Sequence, residues 1–117
     1  MLVVDDEWAI AEVLEDVLGD DGYRVSVANN GKEGIGRALS DKPDLILLDY
    51  MMPVLDGPKT LEALALDERL RDIPVIMMSS LPEQTVRERC SGYVVFLRKP
   101  FLIGDVLLAI QKVLSPK

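Results

Sequence analysis

The stretch Leu45-Ile46-Leu47-Leu48-Asp49 puts four large apolar residues in a row and stops at a carboxylate. With Pro43 before it and Pro53 after it, the run is too short for a buried helix. It reads as a strand covered on both faces in a parallel sheet. A parallel strand needs a long crossover to reach its neighbour, so the rest of the chain has to alternate strands with helices. Asp49 then stands at the carboxyl end of a buried strand, the edge at which open α/β sheets bind their ligands. Taken alone, Asp49 also reads as a residue that merely ends the strand and caps a turn.

The remaining segments supply the alternation. Met1-Leu2-Val3-Val4 is a short apolar run ending in Asp5-Asp6-Glu7, so a second strand also ends in carboxylates. Ile10, Val13, Leu14, Val17 and Leu18 recur at helical spacing from Glu7 to Leu18, and Gly19-Asp20-Asp21-Gly22 ends that helix. Arg24 to Ala28 alternates polar with apolar residues, as a strand at the sheet edge does. Asn29-Asn30-Gly31 is a turn and a helix cap for a segment from about Lys32 to Leu39, which Gly34 and Gly36 weaken by roughly 1 kcal/mol each. Pro58 fits the first turn of a helix reaching Leu66. Val75 to Met78 is a strand ending in Ser79-Ser80, Leu81 to Ser91 a short, mobile helix, Tyr93 to Arg98 the last strand before Lys99-Pro100, and Ile103 to Leu114 an amphipathic closing helix.

Five strands alternating with five helices, joined by right-handed crossovers, predict a single domain over residues 1–117. The expected class is α/β: a five-stranded parallel sheet, doubly wound, flavodoxin-like (βα)5, with strand order 2-1-3-4-5. In that order Asp5, Asp6, Asp49, Ser79 and Lys99 converge at one edge. Three close carboxylates repel one another, and a hard divalent cation with oxygen ligands, Mg2+, answers that repulsion. The Ser79 hydroxyl and the Lys99 ammonium supply the donor and the charge that a phosphoryl group needs.

Composition removes other classes. The chain has no His and one Cys, so an imidazole zinc site, a His-based triad and an internal disulfide are excluded, and a reducing cytoplasm suits it. A formal charge of −7 opposes nucleic acid, and neither a membrane span nor a signal peptide is visible. Individually, Asp5-Asp6 reads as a helix cap, Asp56-Gly57 as a turn, Ser79 as a polar strand end, Lys99 as a solvated lysine, Phe96 and Cys90 as core, and Trp8 as a partly exposed aromatic cover.

Asp5-Asp6, Asp49, the Met52-Pro53…Asp56-Gly57 loop, Ser79 and Lys99-Pro100-Phe101 together closely resemble the CheY-like receiver domains of response regulators in two-component signalling, over the whole chain. The resemblance implies that Asp49 accepts a phosphoryl group from a sensor histidine kinase or a phosphotransfer protein. It implies Mg2+ held by Asp6, Asp49 and the Met51 backbone carbonyl, with Asp5 acting through water. Ser79 and Phe96 are implied as switch residues, Lys99 as the phosphate-contacting lysine, and the Lys99-Pro100 bond as cis. Such a domain assists its own phosphorylation and dephosphorylation rather than acting on separate substrates. It signals through the face of its last two helices and last strand to an effector or output domain, and it can dimerise on phosphorylation.

Three features depart from that family. The first strand starts late, which implies low stability or a trimmed start. The segment from Ser79 to Lys99 is about two residues short, with Leu81-Pro82 where a helix usually begins, so partner recognition is altered. Ser80 replaces the usual Ala or Gly beside the water path, which bears on turnover. Two alternatives stay open: a pseudo-receiver that only binds partners, and a Mg2+-dependent aspartate-nucleophile phosphohydrolase. The second expects a further acid two residues after Asp49, where Met51 stands.

Overall fold

The alternation of apolar and polar residues resolves into two cores on the two faces of one sheet. The computed structural model describes residues 1–52 and 54–114; Pro53 of the expected loop and the last three residues of the expected 1–117 domain lie outside the described residues. In chain order the elements are β1 (Leu2–Val4), α1 (Trp8–Asp20), β2 (Ser26–Ala28), α2 (Gly31–Asp41), β3 (Ile46–Asp49), α3 (Gly57–Leu66), β4 (Val75–Ser79), α4 (Glu83–Arg87), β5 (Val95–Arg98) and α5 (Ile103–Leu114). All strand pairs are parallel and the sheet order is β2-β1-β3-β4-β5.

Successive strand residues point to opposite faces, and both faces are covered. Val3, Leu47, Ile76 and Met78 pack with Ala11, Leu14 and Leu18 of α1 and with Val106 and Ile110 of α5. Leu2, Val4, Ile46, Leu48 and Met77 pack on the other face with Ala38 of α2, Leu61 and Leu64 of α3 and Val86 of α4. Every residue of β1, β3 and β4 is buried, whereas the two edge strands are only partly covered: two of three residues are half-buried in β2, and two of four in β5 with Arg98 exposed.

Several boundaries move from those expected. α1 runs through Gly19 to Asp20, and the chain turns at Gly22, whose φ of 93° favours glycine. β2 begins at Ser26 and β5 at Val95, later than the apolar pattern suggested. Sheet ladders extend only where a neighbour offers partners, and periodicity alone does not show that. α4 is a single short turn-and-a-half, Glu83–Arg87, inside the longer segment expected. α2 starts under an Asn30 side chain that accepts from the Glu33 N–H at 2.9 Å, a cap as expected. Gly34, read as a weak point of α2, sits where a Cβ would come within 2.9 Å of Val4 Cγ2. Its cost in helix propensity accompanies close docking of α2 on β1. Trp8 is 72% exposed, more open than a cover over the acidic pair requires.

Candidate functional site

β1, β3, β4 and β5 lie side by side and end at one edge, and each delivers a side chain there. Asp5, directly after β1, is tied into the sheet by its N–H, which donates to the Ala28 carbonyl at 3.0 Å. Its carboxylate is completely buried. Asp5 Oδ1 accepts from the Glu7 N–H at 2.9 Å and Oδ2 from Lys99 Nζ at 3.0 Å. Asp49 ends β3, is 4% exposed, and places Oδ1 3.3 Å from the same ammonium. Asp6 is exposed, and one carboxylate oxygen from each of Asp5, Asp6 and Asp49 falls within 4.8 Å of the others.

Lys99 follows β5, and its N–H donates to the Ser79 carbonyl at 2.7 Å, which anchors the start of the lysine's reach toward Asp49. The Lys99-Pro100 bond is cis. Ser79 ends β4 and is buried; its Oγ accepts from the Leu81 N–H at 3.0 Å. The hydroxyl is therefore held at the edge with its own proton free to donate elsewhere. Met51 lies in the bend after β3 with its side chain exposed. Phe96, paired with Met77 across the sheet, is half-buried away from the carboxylates, with its ring 6.2 Å from that of Tyr93. The Cys90 thiol, half-buried, donates to the Val86 carbonyl.

Two contacts at the site were not read from sequence. Glu7 Oε1 lies 3.1 Å from Lys99 Nζ, so a third carboxylate shares the ammonium. The signal was the third acid in Asp5-Asp6-Glu7, but only folding shows which of the three turns inward. Gly57 stands where a Cβ would be 2.6 Å from Tyr50 Cα and 2.7 Å from the Asp49 carbonyl oxygen. That close approach lets the Gly57 N–H donate to the Tyr50 carbonyl at 2.9 Å. It seats the start of α3, capped by Asp56 Oδ1 on the Lys59 N–H, against the turn that follows Asp49.

The electrostatics follow from three carboxylates sharing one ammonium, with the Asp6 carboxylate beside two of them. Burial first, then the Asp5 charge, pushes the Asp49 carboxyl up from 3.8 to about 7, against the opposing pull of Lys99. Burial works against the charged form of Lys99, but the Asp5 hydrogen bond and the Asp49 and Asp5 charges outweigh it and hold the ammonium above its ordinary range. An all-oxygen, net-negative cluster of this spacing fits a hard divalent cation and does not fit a soft one.

A sequence model of the response regulator receiver domain matches residues 1–111. The chain belongs to that family. Among curated relatives, this receiver domain is 35% identical over 116 residues to the DNA-binding dual master transcriptional regulator RpaA of Synechocystis, covering 97% of this chain and 48% of that protein. It is 34% identical over 122 residues to the response regulator MprA of Mycobacterium tuberculosis, covering 97% and 50%. The chain thus spans about half the length of the curated relatives it matches. Among solved structures, it superposes with a TM-score of 0.90 and 30% identity on the receiver domain of the sensor histidine kinase PA1611 from Pseudomonas aeruginosa, covering 98% and 96% of the two chains; that structure has a magnesium ion coordinated in its active site cleft. With the chemotaxis response regulator CheY4 of Vibrio cholerae the TM-score is 0.88 at 30% identity, covering 97% and 96%. The strand order found here is that of these CheY-like neighbours. Among the described residues no helix is long and apolar enough to cross a membrane.

Proposed function

We propose that this receiver domain is a phospho-acceptor switch in which Asp49 is the residue phosphorylated. The observation that carries the reading is the buried Asp49 carboxylate 3.3 Å from the Lys99 ammonium, inside an acidic cluster that also includes Asp5 and Asp6. An Asp49 oxygen forms a bond to the phosphorus of the donor, the donor's own P–O or P–N bond breaks, and the leaving group departs with that electron pair. Lys99 neutralises charge on the phosphoryl oxygens, and the Ser79 hydroxyl donates to one of them. Asp6, Asp49 and the Met51 carbonyl would hold Mg2+ directly and Asp5 through water; when bound, the ion screens the carboxylates and the incoming phosphoryl oxygens from one another.

The physiological donor on this reading is a sensor histidine kinase or phosphotransfer protein in the cytoplasm. The output surface is the face formed by α4, β5 and α5. There Ser79 and Phe96 act as the switch pair, coupled to an effector, an output domain or a phosphorylation-dependent dimer contact. The three departures in sequence bear on stability, partners and turnover, not on the acceptor. All of residues 1–117 act as one such domain.

Acetyl phosphate with magnesium is expected to add one phosphoryl group to the wild type and none to Asp49→Asn, read by intact-mass spectrometry. Stoichiometric labelling of the variant at another residue would sink the assignment. Magnesium alone is expected to change the emission of Trp8, whose exposed indole lies two residues beyond Asp6. Asp6→Ala should remove that change. A titration curve unaltered in the variant would place the ion elsewhere.

A further inference from the structure

Lys99 carries three ammonium protons and already faces three carboxylates, Asp5 Oδ2 at 3.0 Å, Glu7 Oε1 at 3.1 Å and Asp49 Oδ1 at 3.3 Å. An anion arriving on Asp49 needs at least one of those donors, so one partner has to leave. Asp5 is held, because it is fully buried and its other oxygen accepts from the Glu7 N–H. Asp49 is the residue that carries the anion. Glu7 is the one partner with somewhere to go: its side chain is 57% exposed, while that of Lys99 is only 10% exposed.

The position of Glu7 makes its contact the more specific. It is the N-cap residue of α1, where a short polar side chain would normally accept from the first free N–H groups of the helix, yet its carboxylate makes no capping bond. It reaches across to Lys99, just beyond the end of β5, instead. It also lines a groove of about 530 Å³ together with Ile10, Ser80 and Phe101, so a carboxylate leaving Lys99 has open space beside it.

From these contacts we infer that Glu7 is a displaceable latch: its carboxylate occupies Lys99 in the resting domain and gives way when a phosphoryl-like anion binds at Asp49. Glu7 is thus a positioning residue that sets how readily the site accepts the anion, an inference that rests on the phospho-acceptor reading of Asp49. Because an exposed ion pair is a weak competitor, the expected gain on removing it is modest, about threefold to fivefold in anion affinity.

The test is calorimetric titration of the 117-residue chain with beryllofluoride at saturating magnesium, in the wild type, Glu7→Gln and Glu7→Asp, with magnesium alone titrated in parallel. Glu7→Gln removes the charge. Glu7→Asp keeps it, but the shorter carboxylate falls short of Lys99 and suits the helix cap. Tighter beryllofluoride binding in both variants, by about threefold to fivefold relative to any change in magnesium affinity, is the expected result. Tightening in Glu7→Gln alone would mean that charge near the site, and not contact with Lys99, is responsible, and would overturn the latch. Unchanged affinity in both would overturn it as well. A merely structural role for Glu7 would shift the melting temperature and leave the affinity where it was. A wild type that binds no beryllofluoride would instead remove the phospho-acceptor reading itself, and the latch with it.

Discussion

Lys99→Met is expected to cost the metal-free domain about 3–5 kcal/mol at pH 8 and much less at pH 5, because it leaves two buried carboxylates without their shared cation. Asp5 and Asp49 are 0% and 4% exposed, and both lie within 3.3 Å of the ammonium that the substitution removes. The sign follows from linkage. A carboxyl whose pKa in the folded state lies above its value in the unfolded chain binds its proton more tightly when folded. Stability is then greatest below the unfolded value and is lost as pH rises through the folded one. Asp49 already behaves this way with Lys99 present, rising from 3.8 to about 7. Over that window the wild type without metal should therefore lose stability as pH increases.

Asp49→Asn removes the group responsible and should raise stability at pH 8, on the order of 2 kcal/mol, while flattening the pH dependence between about 4 and 7. Combined with Lys99→Met it should recover much of the loss, since Asp5 alone is then left without its partner. Magnesium, if it binds the native cluster, should stabilise the wild type and do little for Asp49→Asn. Urea unfolding at pH 5 and pH 8, with and without magnesium, measures all of these. A Lys99→Met variant equally unstable at both pH values would show that lost packing of the lysine stem, and not charge, sets its cost.

The second large effect is expected from a single methyl group. Gly57→Ala places a carbon 2.6 Å from Tyr50 Cα, 2.7 Å from the Asp49 oxygen and 2.9 Å from the Tyr50 oxygen. All three atoms are backbone, so no rotamer change relieves the overlap. Either α3 must back away from the sheet or the turn after Asp49 must shift. Overpacking of this kind costs roughly 2–4 kcal/mol, and a shift of the Asp49 backbone should slow labelling by acetyl phosphate in whatever fraction stays folded. Gly36→Ala in the interior of α2 is the control. A Cβ there meets nothing within 4 Å, so the same chemical change should stabilise by about 0.5–1 kcal/mol through helix propensity. Thermal unfolding of the two variants should move in opposite directions. A loss below about 1 kcal/mol for Gly57→Ala would mean that the loop yields easily and that the close approach is not what holds it.

Much of this architecture was legible in one dimension because burial on both faces leaves a continuous apolar run, and three of the five strands are of that kind. Leu2–Val4, Ile46–Asp49 and Val75–Ser79 could be read as central strands and placed beside one another, with the alternating Ser26–Ala28 at the edge. Once the order was settled, the residue after each run fell at the same end of the sheet, so Asp5, Asp49, Ser79 and Lys99 could be grouped before any distance was known. Boundaries were less legible. β5 starts two residues later than its apolar pattern and α4 is shorter than its segment, because hydrogen-bond partners and helix docking are supplied by neighbours distant in sequence.

Sequence by itself determined the fold class, the strand order and the gathering of Asp5, Asp49, Ser79 and Lys99 at the sheet edge, since each of these follows from periodicity and from where an apolar run stops. Tertiary structure alone decided how those side chains share their charge. Three adjacent acids look alike in a row, yet Asp5 is sealed into the core, Asp6 stays open to solvent, and Glu7 turns back to the ammonium. Likewise Gly57 reads as an ordinary turn residue until the backbone of Tyr50 is found against it. In both cases the deciding quantity is a distance between residues far apart in the chain or around a turn. Side-chain type restricts such distances, but only the packed fold sets them.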